Sequence, residues 1–162
     1  MRLYFLRHGK AEQQAASDHD RELTPAGAER IAVAATVMAK LGLAPGHIFS
    51  SPRVRARQTA AIVAGALGKT VEIDDAVNFS FDLEAVETLV RDLADDEEVM
   101  FVGHEPSMSL TVGQLTGADV RMKVGGLARV DVENDLPLRG QLIWLIAPVV
   151  FDALGEPDTP DL

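Results

Sequence analysis

Two short apolar runs, each followed by a histidine, restrict the possible folds of this chain more than any other feature. The first run covers residues 3–6 and precedes Arg7 and His8, and the second covers residues 99–102 and precedes His104 by one glycine. Short apolar runs bounded by glycine are typical of buried strands in a parallel sheet. Because open α/β folds bind ligands at the carboxyl ends of such strands, we expect both histidines at one edge of the sheet.

The repetition of this arrangement matters, because a lone histidine at the end of a strand is usually a polar cap or a semi-buried ring. Two histidines that each follow a predicted strand favour a shared site. His19, in a polar run, and His47, before a short apolar pair, lack this pattern. We interpret these two as solvated or structural residues.

The rest of the chain alternates between strand and helix patterns. Thr24-Pro25 and Ser51-Pro52 are each typical of a helix start, with a capping hydroxyl and a proline in the first turn. Further strands are predicted over residues 48–49 and 70–73, helices over residues 83–93 and from Pro106, and an antiparallel closing pair over residues 127–132 and 141–146. Core-facing positions of the first helix are predicted at Ile31, Ala34, Ala35, Met38 and Leu41. The alternation predicts an α/β fold.

The length of 162 residues fits a single domain, which we predict over residues 1–151. Residues 152–162 combine two prolines with acidic side chains, so we expect an acidic and mobile tail there.

The composition excludes several classes of function. A net charge of −10 opposes general binding to nucleic acid or to anionic membranes. The absence of cysteine rules out disulfides, thiolate nucleophiles and sulfur-ligated zinc. No histidine and carboxylate pattern supports a metal site, so we expect no metal and no other cofactor. Since the sequence shows no secretion signal and no membrane-spanning segment, the expected location is the cytoplasm.

Three motifs resemble those of a known family, the histidine phosphatase superfamily with its phosphoglycerate-mutase-like fold. They cover residues 6–9 (Leu-Arg-His-Gly), 51–59 (Ser-Pro-Arg-Val-Arg-Ala-Arg-Gln-Thr) and 102–106 (Val-Gly-His-Glu-Pro). The stretch over residues 16–24 and the lack of an inserted helical lid resemble the SixA-type phosphohistidine phosphatases most. The resemblance implies a three-layer α/β/α domain with a mostly parallel central sheet.

The same resemblance implies roles for individual residues. His8 matches the nucleophile that carries a covalent phosphoryl group, and His104 matches a second histidine whose N–H stabilises the phosphoryl oxygens. Arg7 and Arg55 match the phosphate-binding arginines, whose planar forks suit the charge spread over those oxygens. Arg21 is a further candidate for phosphate binding, with a plain surface arginine as the alternative.

The proton donor is not evident from the sequence. Larger members of the family carry an acidic residue between the two histidines, and this region offers no clear match. Asp18 or Glu105 could take that role, although a loop or capping carboxylate is the simpler interpretation of each. A missing general acid favours phosphohistidine over phosphate esters of alcohols, because imidazole can leave as a neutral ring.

The leading hypothesis is therefore a metal-independent phosphatase that removes phosphate from histidine on a partner protein, such as a signalling phosphotransfer domain. One alternative is a phosphomonoesterase or mutase that acts on a small phosphorylated substrate. Another is a non-catalytic module that only binds phosphate. Arg53 and Arg57 are possible contacts for an acidic partner.

Overall fold

The computed structural model describes residues 1–133 and 135–155, and in this part of the chain six strands form one sheet. The strands are β1 (Arg2–Arg7), β2 (His47–Ser50), β3 (Glu72–Ile73), β4 (Glu98–Gly103), β5 (Leu127–Glu133) and β6 (Arg139–Ile146). The helices are α1 (Pro25–Lys40), α2 (Val54–Leu67), α3 (Leu83–Val90), α4 (Ser107–Thr116) and α5 (Pro148–Gly155), with a short 3₁₀ helix at Asp75–Val77.

The strands follow the order β3-β2-β4-β1-β5-β6. The first four are parallel to one another, whereas β5 runs antiparallel to β1 and β6 runs antiparallel to β5. The mostly parallel sheet and the antiparallel closing pair are therefore confirmed. This order places the carboxyl ends of β1, β4 and β2 side by side.

Two apolar layers cover the two faces of the sheet. Along β1, Leu3 and Phe5 pack with α3 and α4, whereas Tyr4 and Leu6 pack with α1, α2 and α5. This alternation follows from the two-residue period of a strand, and the continuous apolar run reflects burial on both faces. The predicted three-layer α/β/α architecture is confirmed, and no lid domain is inserted among the described residues.

One of the two predicted helix starts is confirmed and the other is wrong. Thr24 caps α1 as predicted, because its hydroxyl accepts the Gly27 N–H at 2.9 Å. Ser51-Pro52, in contrast, does not begin α2, which starts at Val54 without a side-chain cap. Ser51 belongs to the candidate site instead.

Other boundaries also differ from the prediction, and the helix predicted over residues 83–93 ends at Val90. The third strand is confined to Glu72–Ile73 rather than residues 70–73. Leu41, predicted to face the core, is 51% exposed because it is the C-cap residue of α1, where the helical spacing ends.

The predicted start of the acidic tail at residue 152 is wrong. Helix α5 runs through Gly155, and Phe151 anchors it in the core. The Asp152 carboxylate accepts hydrogen bonds from Nε and Nη2 of Arg30, the shortest at 2.6 Å, which ties this helix to α1. The remainder of the predicted tail, residues 156–162, lies outside the described residues. None of the helices described here is long and apolar enough to cross a membrane.

Candidate active site

Three polar side chains lie in a row at the carboxyl ends of neighbouring strands. His8 follows β1, Ser51 follows β2 and His104 follows β4. The strand pairing extends into these residues, because the His8 N–H donates to the Gly103 carbonyl and the Ser51 N–H donates to the Val102 carbonyl, both at 3.0 Å. The ring centres of His8 and His104 are 5.2 Å apart. The sheet edge therefore brings together the two histidines, as the sequence predicted.

Hydrogen bonds fix the tautomer of His8. Its Nδ1 lies 2.7 Å from the Gly9 carbonyl oxygen, which only accepts, so Nδ1 carries the proton. Arg55 Nε donates to His8 Nε2 at 3.3 Å, so Nε2 presents its lone pair. Burial lowers the pKa of the His8 ring to about 4, and the positive charges of Arg55 and Arg7 act in the same direction. The ring is neutral at neutral pH and Nε2 is nucleophilic.

Gly9 is needed at its position because the chain passes close to α1. A Cβ atom there would lie 2.7 Å from Cγ1 of Ile31, well inside van der Waals contact. The Gly9 N–H donates to the Thr59 hydroxyl at 3.1 Å, and that hydroxyl donates to the Arg55 carbonyl at 2.8 Å. These bonds fasten the segment after β1 to α2, which carries Arg55.

His104 is almost fully buried, with 1% of its surface exposed. Its Nε2 lies 2.7 Å from the Ser51 hydroxyl, and its Nδ1 has no hydrogen-bond partner among the described residues. The pKa of this ring is lowered to about 3, mainly by burial and also by the nearby His8 and Arg55. His104 is therefore a second neutral imidazole with one unused polar atom.

Arg55 and Arg7 supply positive charge from two sides. Arg55 lies in the first turn of α2 and is 3% exposed, and its Nη1 donates to the Asp18 carbonyl at 2.8 Å. Arg7 Nη1 donates to the Met122 carbonyl at 2.9 Å, while Arg7 Nε is buried without a partner among the described residues. Both guanidinium groups retain donors that a bound anion could use.

The loop between β1 and α1 brings a carboxylate to this positive cluster. Asp18 accepts from Arg53 Nη1 at 2.7 Å, from Arg21 Nη1 at 3.0 Å and from Arg55 Nη2 at 3.3 Å. The hydrogen bond from Arg21 lowers the pKa of the Asp18 carboxyl, and Arg55 and Arg53 add to this effect. Asp18 is thus ionised at neutral pH. Both predicted candidates from this loop, Asp18 and Arg21, lie at the site, and they are bound to each other.

Glu105, the other candidate proton donor, is engaged at the start of α4. Its Oε1 accepts the Ser109 N–H at 3.0 Å and its Oε2 accepts the Ser109 hydroxyl at 2.7 Å. This arrangement agrees with the capping interpretation of Glu105.

Three residues at the site were not predicted from the sequence. Ser51 had a usable signal, because it directly follows a strand at the same edge as the two histidines. Arg53 was interpreted as a possible surface contact, yet it bonds Asp18 and lies over the Phe79 ring, with Cζ 3.9 Å from the ring centre. Phe79 follows the 3₁₀ helix in an irregular segment, where no periodic pattern predicts its position. Arg57, in contrast, is exposed.

The chain is similar in sequence to proteins of a known family. A family model described as the histidine phosphatase superfamily (branch 1) matches residues 3–78. An uncharacterized protein of Picosynechococcus sp. is 34% identical over 165 residues, which cover 90% of this chain and 99% of the relative. The chain belongs to the histidine phosphatase superfamily. Membership of this superfamily indicates a phosphatase.

Solved structures of the superfamily share the same fold. The protein histidine phosphatase SixA, complexed with tungstate, has a TM-score of 0.84 at 23% identity and covers 93% of this chain and 99% of its own. A candidate phosphohistidine phosphatase SixA from Agrobacterium tumefaciens has a TM-score of 0.77 at 29% identity, covering 91% and 98%. The chain is therefore similar to SixA proteins over nearly its whole length.

Proposed function

We propose that this protein hydrolyses phosphohistidine on a partner protein through a covalent phosphoryl intermediate on His8. The observation that carries the proposal is the His8 ring, which is neutral, has its lone pair on Nε2 and is surrounded by arginines. The similarity to SixA proteins supports the substrate class. The tungstate in the SixA complex is also a tetrahedral dianion of the phosphate type.

In the first step, the lone pair of His8 Nε2 attacks the phosphorus atom. The bond between phosphorus and the substrate imidazole breaks, and its electron pair returns to the imidazole nitrogen. The substrate ring leaves as neutral imidazole when its other nitrogen carries a proton. His8 then holds the phosphoryl group on Nε2 and keeps the proton on Nδ1, where the Gly9 carbonyl stabilises the positive ring.

In the second step, water attacks the phosphorus of phospho-His8. The new bond joins the water oxygen to phosphorus, and the electron pair of the broken P–N bond returns to Nε2. One water proton remains on the phosphate and the other passes to the phosphate or to solvent. His8 is restored in its original tautomer, so no net proton change is required of the enzyme.

Fixed donors stabilise the transition state in both steps. Arg7 Nε and His104 Nδ1 are buried and unused among the described residues, and both are able to donate to phosphoryl oxygens. For His104 to carry a proton on Nδ1, the Ser51 hydroxyl must donate to Nε2, which fits their 2.7 Å separation. Arg55 would exchange its weak 3.3 Å contact with His8 for charge-assisted bonds to the phosphoryl group.

The carboxylates at the site support phosphohistidine over phosphate esters. Asp18 is bound by three arginines, and both oxygens of Glu105 accept hydrogen bonds from Ser109, so both carboxylates are engaged away from a leaving group. An alkoxide leaves poorly without that proton, whereas imidazole does not require it. General acid assistance contributes typically about 10²- to 10⁴-fold in rate.

The test measures phosphate release from a phosphohistidine peptide, in EDTA, beside 3-phosphoglycerate and glucose 6-phosphate. We expect faster release from the peptide and loss of turnover in His8→Asn. His19→Asn is the matched control, because His19 lies on the exposed loop and does not contact the other histidines. Labelling with radioactive phosphoramidate under alkaline quench should trap phosphate on the native protein and not on His8→Asn.

Four results would overturn the proposal. If His8→Asn released phosphate as fast as the native protein, His8 would not be the nucleophile. Loss of activity in EDTA would contradict a metal-independent reaction. Faster release from the sugar phosphate or phosphoglycerate would favour a small-molecule phosphatase instead. Tight binding of phosphate without any turnover would indicate a binding module.

A further inference from the structure

Phe79 is the one phenylalanine of the six in this chain that is not buried. Its exposed fraction is 50%, whereas the other five are at most 7% exposed. Its ring centre lies 4.8 Å from that of His104 in an edge-to-face arrangement, and it lies 5.9 Å from Arg55 Cζ. Because His104 is buried and Phe79 is half-exposed, the Phe79 ring lies between the site and solvent.

The ring is held in place rather than left to rotate freely. Arg53 Cζ lies 3.9 Å from the ring centre, and the Arg53 guanidinium is fixed by Asn78 Oδ1 at 2.9 Å and by Asp18 at 2.7 Å. Asn78 is fixed in turn by hydrogen bonds to Asp75 at 3.1 Å. A half-exposed aromatic ring with this support is pre-organised for a ligand.

The direction of the reaction shows which part of a substrate would reach this ring. In an in-line displacement the leaving group departs on the side opposite to the attacking nitrogen. His8 follows a buried strand, so a leaving group opposite its Nε2 would depart away from the sheet, toward the exposed outer side of the site. Phe79 is the aromatic side chain that contacts His104 on that outer side.

We propose that the exposed part of the Phe79 ring packs against the leaving imidazole of phosphohistidine, so that Phe79 selects substrates with an aromatic leaving group and Arg53 positions it. This inference rests on the proposed function and adds a specificity residue to it. Aromatic pairs prefer offset or edge-to-face contacts, and His104 already makes one such contact with the same ring.

The experiment compares three substrates that all contain a P–N bond. They are a phosphohistidine peptide, a phospholysine peptide of the same sequence and phosphoramidate, so that only the first has a ring in its leaving group. The variants are Phe79→Leu, which keeps apolar volume without a ring, and Phe79→Trp, which keeps a ring. Arg53→Leu tests the positioning role, and Leu41→Ala is the control, since Leu41 is equally exposed at the far end of α1.

We expect Phe79→Leu to lower kcat/KM for the phosphohistidine peptide by about 2- to 10-fold, the range of one aromatic pair contact. The decrease in kcat/KM should come mainly from a higher KM. The kcat/KM values of Phe79→Leu for the phospholysine peptide and for phosphoramidate should change by less than about twofold. Phe79→Trp should retain the preference for phosphohistidine, and Arg53→Leu should reduce it.

An equal loss on all three substrates in Phe79→Leu would overturn the inference and leave the proposed function intact, because it would show a structural contact only. An unchanged kcat/KM for the phosphohistidine peptide would overturn it equally. If the native protein released no phosphate from phosphohistidine while hydrolysing phosphoramidate, the proposed function itself would fail and this inference with it.

Discussion

Asp18 is a single residue whose charge determines how the site receives an anion. Its carboxylate already binds Arg21, Arg53 and Arg55, so a phosphoryl group must compete with it for Arg55. We therefore expect Asp18→Asn to strengthen inhibition by inorganic phosphate. The effect should be only about two- to fivefold, because the carboxylate is half-exposed and its charge is partly screened by water. Product inhibition at constant pH and ionic strength measures the change.

The same substitution separates two roles of Asp18. As an ion-pair partner Asp18 is dispensable for chemistry, so kcat should stay within about threefold of the native value, whereas loss of a general acid costs about 10²-fold or more. Asp20→Asn is the matched control, since Asp20 lies in the same loop and bonds Ser17 rather than an arginine. A large fall in kcat with unchanged phosphate inhibition would make Asp18 the proton donor.

At this scale the sequence could predict the residues whose identity follows from chemistry, but not those whose position depends on loops. The two histidines and two arginines lie at the ends of strands or at a helix start, so motif and topology are enough to place them. Arg53 and Phe79 meet only because the irregular segment after β3 passes the N-cap residue of α2. No periodicity encodes such a contact.

At the scale of elements, β4 and α4 meet tightly at Gly103. A Cβ atom on Gly103 would lie 2.6 Å from Met108 Cε and 2.9 Å from the Val77 carbonyl oxygen, and the backbone oxygen has little freedom to move. We expect Gly103→Ala to reduce the free energy of unfolding by about 1 to 3 kcal/mol, the usual cost of overpacking. Urea denaturation measures this change, and turnover should fall too because His104 is adjacent.

Gly65 in α2 is the matched control for this substitution. A Cβ atom there meets nothing within 4 Å, and the residue lies inside a helix. Gly65→Ala should therefore increase the free energy of unfolding by about 0.5 to 1 kcal/mol. If both variants had the same stability as the native protein, the close packing at Gly103 would be contradicted.

Element boundaries were predicted less well than the elements themselves. Ser51-Pro52 has the composition of a helix start, but the Ser51 N–H is already bonded to β4 and its hydroxyl to His104, so the helix begins three residues later. Acidic composition predicted a tail from residue 152, but α5 continues through Gly155, with Phe151 buried in the core and Asp152 paired with Arg30. Long-range contacts of this kind are not visible in local sequence.

For the whole molecule, burial of two neutral histidines links stability to pH. The pKa values of His8 and His104 are lowered to about 4 and about 3, below the value of about 6.5 for an unfolded chain. As the pH falls through the range 6.5 to 4, the unfolded chain binds protons that the folded protein does not. Stability is therefore full above pH 6.5 and is lost progressively below it.

We expect the free energy of unfolding to fall between pH 7 and pH 5 by about 2 kcal/mol for each of the two histidines. Urea denaturation at several pH values measures the slope. His8→Asn should remove about half of this dependence of the unfolding free energy on pH. The double variant His8→Asn with His104→Asn should remove nearly all of it. A native protein equally stable at pH 7 and pH 5 would contradict the neutral, buried state of these rings.

The strand order has a consequence for assembly of the protein. The three strands that end at the site come from residues 2–7, 47–50 and 98–103, and β4 lies between the other two although it is the last of them along the chain. Pairing of such distant segments is slow, because loop closure precedes the gain from contacts. Recovery of turnover after dilution from urea should consequently lag behind recovery of helical signal, and the enzyme's own activity reports completion of the sheet.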